Sequence, residues 1–236
     1  MKFYVGKCSD IGNFRPNNED AVFSAVIPVD AGELCLGIVC DGIGGLKDGE
    51  FASFTMIGVI SEWFMEIDRS LSFDDITKQF LDKVYKTSVY ISEQSKILAV
   101  ETGTTMTAFL SIGDKYMIAN VGDSRTYQLD KGINQITSDD VTISSSGRSA
   151  LNQCIGHDCR LYINTFYGQT APGNRYLLCT DGFYKKMNAK RLLSKSRAIN
   201  RFTDISKLLQ KEIEAIKKLG EKDNISAVLI KCVKGE

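Results

Sequence analysis

The sequence is poor in histidine and proline and has no excess of charge of either sign. Its one histidine, His157, and the lack of a Gly-x-Ser-x-Gly turn argue against a serine-nucleophile triad. With only three prolines, and no Gly/Ser-rich or charged block, nothing divides the chain, so one domain over residues 1–236 is expected. The 29 basic and 29 acidic residues cancel, and no basic excess marks a nucleic-acid binder. Cations between Lys185 and Arg201 read as a solvated helix face. No apolar run reaches membrane-spanning length, and the opening "MKFYVGKCSD" is too mixed for a signal peptide. The seven cysteines include no CxxC pair, and Cys35, Cys40, Cys179 and Cys232 lie in apolar runs. They point to reduced core thiols in a cytoplasmic protein. Cys154, His157 and Cys159 fall short of the four soft ligands of structural zinc.

What is present suffices for one well-buried core: 43% of residues are hydrophobic and 25% charged. Strand-like runs include "DAVFSAVIPV", "LCLGIVC", "TTMTAFLSI", "KYMIANVG", "RYLLCT" and "ISAVLIKCV", rich in β-branched or aromatic residues and bounded by Gly, Asp or Asn. "IGDK", residues 112–115, reads as a hairpin turn. Apolar spacing of three to four predicts helices over Glu50–Met65, Phe73–Leu98 and Thr203–Leu219, the last closed by Gly220. Runs of consecutive strands imply antiparallel pairing. The expected fold is α+β, a four-layer α-β-β-α sandwich with two mostly antiparallel central sheets flanked by helices.

Carboxylates recur at the strand ends. Asp41 closes "GIVC" and precedes Gly42; Asp181 follows "YLLCT" and precedes Gly182; Asp123 follows "MIANVG"; Asp223 precedes "NISAVLI"; Glu19 and Asp20 precede "AVFSAV". Asp-Gly is also an ordinary turn dipeptide, so six separate turn acids remain an alternative on spacing alone. If the strand ends converge at one edge, the acids meet and repel unless a cation lies between them. A hard divalent ion such as Mg²⁺ or Mn²⁺ takes oxygen ligands. Two ions sharing one aspartate would make a hydrolytic site with a water activated between them.

Five stretches, "SDIGNFRPNNEDAVF", "VCDGIGGLKDGEFAS", "GTTMTAFLSIGDKYMIANVGDSRTYQL", "LLCTDGF" and "KDNISAVLI", stand in one order from Ser9 to Ile230. In that order the chain resembles the metal-dependent serine/threonine protein phosphatases of type 2C in their bacterial form. The resemblance implies hydrolysis of phosphoserine and phosphothreonine on proteins with two divalent ions, Mn²⁺ or Mg²⁺. By it, Arg15 binds the substrate phosphate, Asp41 bridges both ions, Glu19 and the Gly42 carbonyl serve the second, and Asp181 and Asp223 serve the first. Asp20 supports by orienting water. Asp123 and Asp181 would hold a weaker third ion. Gly44 and Gly45 would turn the chain away, while Glu50, Ala52, Ser53, Thr104, Thr105, Ser124 and Arg125 match as structural positions. Implied partners are phosphoprotein substrates, made by a bacterial serine/threonine kinase, with no nucleic acid and no membrane; a monomer is expected.

The chain departs from the pattern twice. Ile43 stands where animal members carry a histidine proposed to protonate the leaving alkoxide, and His157 is read as structural. The stretch "SDDVTISSSGRSALNQCIGHD" is much shorter than the flap of bacterial relatives, which bears on substrate selection rather than on the metal site. Two alternatives stay open: a catalytically weak binding or regulatory module on the same fold, and a phosphatase of another phosphoester.

Overall fold

The computed structural model describes residues 1–43, 49–143, 149–157, 160–199 and 201–235. The turn expected at Gly44 and Gly45, Ser144–Gly147 and Cys159 lie outside them.

One sheet is built from β1 (Lys2–Asp10), β12 (Ile225–Val233), β11 (Arg175–Cys179), β6 (Arg125–Leu129) and β7 (Ile133–Gln135), in that spatial order. The other runs β10 (Asn164–Gln169), β5 (Lys115–Val121), β4 (Met106–Ile112), β3 (Gly32–Asp41) and β2 (Asp20–Val29). Every pairing in both sheets is antiparallel. The hairpin expected at residues 112–115 joins β4 to β5, with Gly113 at φ +60°. A further pair, β8 (Val141–Ile143) with β9 (Ser149–Leu151), lies in the stretch expected to form a shortened flap.

Side-chain alternation along the strands builds the layers. Cys35 and Val39 on β3 face Tyr176 and Leu178 on β11 and Val228 and Ile230 on β12 in a core between the sheets. Their neighbours Leu34, Leu36, Ile38 and Cys40 face the other way, onto α1 (Gly49–Glu66) and α2 (Phe73–Leu98), where Met56, Ile60, Phe64, Phe80, Val84 and Ile91 are buried. Leu177, Ala227 and Leu229 likewise pack against Ile205, Leu209, Ile213 and Ile216 of α5 (Phe202–Lys218). The sheets approach closely at Gly37, where a Cβ would come within 2.9 Å of both Val228 and Ile230. The result is the expected α-β-β-α sandwich.

Helix boundaries agree with the spacing to within a residue. Ser72 caps α2, its hydroxyl accepting from the Asp75 N–H at 3.2 Å. Gly220, at φ +72°, follows α5 and donates to the Lys217 carbonyl at 3.0 Å. The solvated helix face read between Lys185 and Arg201 is α4 (Ala189–Arg197), whereas the single turn α3 (Asp181–Tyr184) was not expected. The α4 sequence, "AKRLLSKSR", buries only Leu192 and Ser196, too little apolar surface to show a period.

Candidate metal centre

Antiparallel register carries the strand-end acids to a common edge. In one sheet Asp41, the last residue of β3, pairs with Asp20, the first of β2. In the other, Cys179 pairs with both Arg125 and Ala227, so Asp181 just past β11, Asp123 just before β6 and Asp223 just before β12 share an edge. Asp123 also follows the end of β5, which ties the two sheets together at this point. Burial, then the charges of Asp20, Asp181, Asp223 and Asp123, push the Asp41 carboxyl well above the usual range. Those four acids come from both sheets, so the carboxylates read separately in the sequence lie within electrostatic reach of one another.

The backbone around Asp41 is tightly held. Its N–H donates to the Thr105 hydroxyl at 3.1 Å, and its carbonyl accepts from the Thr104 hydroxyl and the Thr105 N–H, each at 2.9 Å. Thr105 and Ser124 share a buried hydroxyl contact of 2.7 Å. The structural parts expected of Thr104, Thr105 and Ser124 are thus visible as hydrogen bonds. Gly42 donates to the Glu19 carbonyl at 3.1 Å. A Cβ there would come within 2.6 Å of the Gly49 carbonyl and 2.7 Å of that of Glu19, so close backbone packing requires this glycine. Ser53, on α1, donates to the same Glu19 carbonyl at 2.6 Å.

Asp20 is almost fully buried. Its Oδ2 accepts from the Thr180 hydroxyl at 3.1 Å, while Oδ1 has no hydrogen-bond partner. Burial, with the charges of Asp181 and Asp223, pushes its carboxyl up to about 7. Burial, with Asp181 and Asp139, pushes Asp123 up to about 6. Burial also raises Glu19, opposed by Arg15.

Two cations reach into the acids. The Arg15 guanidinium contacts both Asp223 oxygens, at 2.9 and 3.0 Å. The Lys185 ammonium, from the residue that caps the C-terminus of α3, bonds Asp181 Oδ2. Among the described residues no three His, Cys, Asp or Glu side chains form a ready ligand group for an ion as they stand. The donor set does fit a divalent cation. It is all oxygen, it carries several mutually repelling charges, and it includes a buried carboxylate oxygen with no partner.

Sequence reasoning missed two residues here. Asn224 stitches the Arg15–Glu19 loop to β12: its amide donates to the carbonyls of Ile11 (2.9 Å) and Asn17 (3.0 Å), and its oxygen accepts from the Glu19 N–H at 2.9 Å. Lys185 was the other; its i+4 spacing from Asp181 on a helix was the available signal, hidden because α3 was not foreseen. His157 is exposed and lines a groove along α2 with Arg160 and Leu161. Arg125, expected as structural, bonds Asp139 through Nε (2.9 Å) and Nη2 (2.6 Å) and lies 3.8 Å over the Tyr184 ring.

Two layers of antiparallel sheet with acids gathered at one edge place the chain in a known class. It belongs to the protein phosphatase 2C family, whose sequence profile matches residues 15–222. The serine/threonine protein phosphatase PstP of Mycobacterium tuberculosis is 28% identical over 238 residues, spanning 94% of this chain and 43% of that protein. This chain therefore spans less than half the length of that relative. The serine/threonine phosphatase Stp of Listeria monocytogenes is 26% identical over 246 residues, 94% of this chain and 93% of that protein. A crystal structure of the PstP catalytic domain in complex with two manganese ions superposes with a TM-score of 0.79. It is 25% identical and covers 98% of this chain and 99% of that one. No described helix is long and apolar enough to cross a membrane.

Proposed function

We propose that the chain hydrolyses phosphoserine and phosphothreonine esters on proteins with two divalent ions bound at the strand-end acids. The observation that carries this reading is the mutual repulsion of Asp20, Asp41, Asp123, Asp181 and Asp223, drawn from both sheets to one edge. Asp41, Glu19 and the Gly42 carbonyl, with Asp181 and Asp223, are the groups that would hold the ions. When bound, Mn²⁺ or Mg²⁺ would supply Lewis-acid activation of water and neutralise charge on the phosphoryl group.

The chain's own side chains do the rest. Arg15, partly exposed beside Asp223, offers a planar guanidinium fork that matches a phosphate. Asp20, held by Thr180 and lying beside Asp41 in register, would orient water. Asp123 and Asp181 would form a weaker third site, although Lys185 already bonds Asp181 and its charge attracts Asp123. Neither Ile43, which carries no titratable group, nor the exposed His157 offers itself as the acid for the leaving alkoxide.

The binding-module reading would be marked by missing acids, and all are present. Residues 1–236 are taken as one domain acting as a monomer on the products of a bacterial serine/threonine kinase. The buried free thiols Cys35, Cys40, Cys179 and Cys232 suit a reducing compartment, hence the cytoplasm. The test is release of phosphate from a phosphothreonine peptide and from p-nitrophenyl phosphate, in EDTA and after Mn²⁺ or Mg²⁺ is restored. Metal-dependent turnover of the peptide supports the reading. Turnover of the aryl ester alone favours another phosphoester, and no turnover of either favours the binding module.

A further inference from the structure

The neutral charge of the whole chain hides a strong asymmetry. Residues 185–222 carry 12 Lys and Arg against four Asp and Glu; the rest of the chain carries 17 against 25. Most of those four acids are turned inward. Glu212, 1% exposed, accepts from the Asn188 N–H and from Arg191, both at 2.7 Å. Glu221 is buried, accepts from the backbone of Lys222 and Asp223, and pairs with Lys186 at 3.4 Å. Asp204 is half-buried, which leaves Glu214 as the exposed acid of this stretch.

Most of the cations face outward, apart from the half-buried Lys186, Arg191 and Lys217. Lys207, Lys211 and Lys218 lie on one side of α5, opposite its buried stripe, and no carboxylate among the described residues pairs with them. With Arg191, Gln210 and Glu214 they line a groove of about 640 Å³. From the Lys218 end of the groove the chain reaches Asp223 of the acid cluster in five residues. There the Lys186 ammonium donates to the Gly220 carbonyl at 2.8 Å, and Asn13, two residues before Arg15, donates to the Lys217 carbonyl at 3.3 Å. Between groove and acids lie Lys217, paired with Asp10 at 3.0 Å, Lys186, paired with Glu221, and the exposed Lys222.

We propose that this groove docks an acidic stretch of the phosphoprotein substrate that flanks the phosphorylated residue. The inference rests on the phosphatase reading and adds a substrate class to it. Charge complementarity names an anion, and the short chain path from Lys218 to Asp223 makes it part of the same chain that presents the phosphate. The recess suits side chains better than a flat membrane surface. None of the described residues that line it is aromatic, so nucleic-acid bases find no stacking partner among them. Exposed complementary charges act mainly on encounter rate and are screened by salt.

The test uses the full chain with Mn²⁺ and two phosphothreonine peptides, one with neutral flanks and one with a run of Asp and Glu. The variants are Lys207→Glu/Lys211→Glu/Lys218→Glu and the milder Lys→Gln triple; neither touches the acid cluster. Binding of the unphosphorylated acidic peptide is measured in parallel by fluorescence anisotropy. For the unaltered chain we expect kcat/KM about tenfold higher on the acidic peptide at low salt, the size of a few exposed charge pairs combined. The preference should vanish in about 0.5 M NaCl. Both triple variants should lose it while p-nitrophenyl phosphate turnover stays unchanged. Equal kcat/KM for the two peptides, or a preference that survives both triples, would overturn the proposal. So would capture by phosphatidylserine vesicles or duplex DNA with no binding of the acidic peptide. If nothing is hydrolysed, the phosphatase reading fails by itself, and anisotropy still decides whether the groove takes the acidic chain.

Discussion

Replacing Asp20 by Asn should make the metal-free chain more stable and the enzyme worse. The Asp20 carboxyl is buried, one of its oxygens has no partner, and its proton affinity is pushed up to about 7 from the ordinary 3.8. A carboxyl that holds its proton more tightly when folded than when unfolded costs stability as pH rises. The cost is absent below about 4, grows through the window from 4 to 7, and is complete above it. About three pH units at 1.36 kcal/mol each sets a ceiling near 4 kcal/mol. The charges of Asp181 and Asp223 contribute to that shift and persist in the variant, so about 2 kcal/mol is the expected gain at pH 8. Asn keeps an acceptor for the Thr180 hydroxyl and puts an amide donor in place of the second oxygen, so packing is preserved.

The assay is urea unfolding in EDTA at pH 4.5 and pH 8. The variant should exceed the unaltered chain by about 2 kcal/mol at pH 8 and by under about 1 kcal/mol at pH 4.5, with the slope of unfolding unchanged. Saturating Mn²⁺ should narrow the gap, because a bound cation stabilises the ionised acid that the variant lacks. Equal stability at both pH values would refute the view that Asp20 is held folded against its own charge. Higher stability with reduced turnover is the usual trade at a site built for function.

Other perturbations address single contacts. Asp41→Asn and Asp181→Asn change charge with little change in volume, so each should cut turnover at subsaturating Mn²⁺ by at least about a hundredfold, beyond what outer partners cost, with circular dichroism unchanged; near-normal rates would remove these residues from the site. Arg15→Ala should raise KM and weaken inhibition by free phosphate, and if both stay constant the guanidinium serves only Asp223. Lys185→Ala removes a cation already on Asp181; isothermal titration should show tighter Mn²⁺ binding or an added weak ion, and an identical isotherm would show that the ammonium does not compete. Gly182→Ala would set a Cβ 2.1 Å from the Asn224 carbonyl, so a loss of about 3 kcal/mol is expected on thermal unfolding, at the upper end of overpacking costs; an unchanged midpoint would mean that the two backbones separate freely.

The reach and the limits of sequence reasoning follow from how far each signal extends. Strands and long helices were legible because their periods are local: Leu34, Leu36, Ile38 and Cys40 alternate with Cys35 and Val39, and that alternation is the division between the two cores. The convergence of acids was legible in part, since antiparallel pairing sends alternate strand ends to one edge. That Asp41 and Asp20 are register partners, however, depends on the β2–β3 turn and cannot be read from spacing. The glycines illustrate the same boundary. Gly42 read as a turn residue or as a carbonyl donor, whereas the structure adds a contact with Gly49 and Glu19 that leaves no room for a Cβ. Lys185, Asn224 and the groove on α5 were hidden for a related reason. Each acts across elements that a one-dimensional pattern does not join, and the single turn α3 buries too little apolar surface to announce itself. Net charge misleads in the same way: a sum of zero is compatible with one acidic edge and one basic helix face.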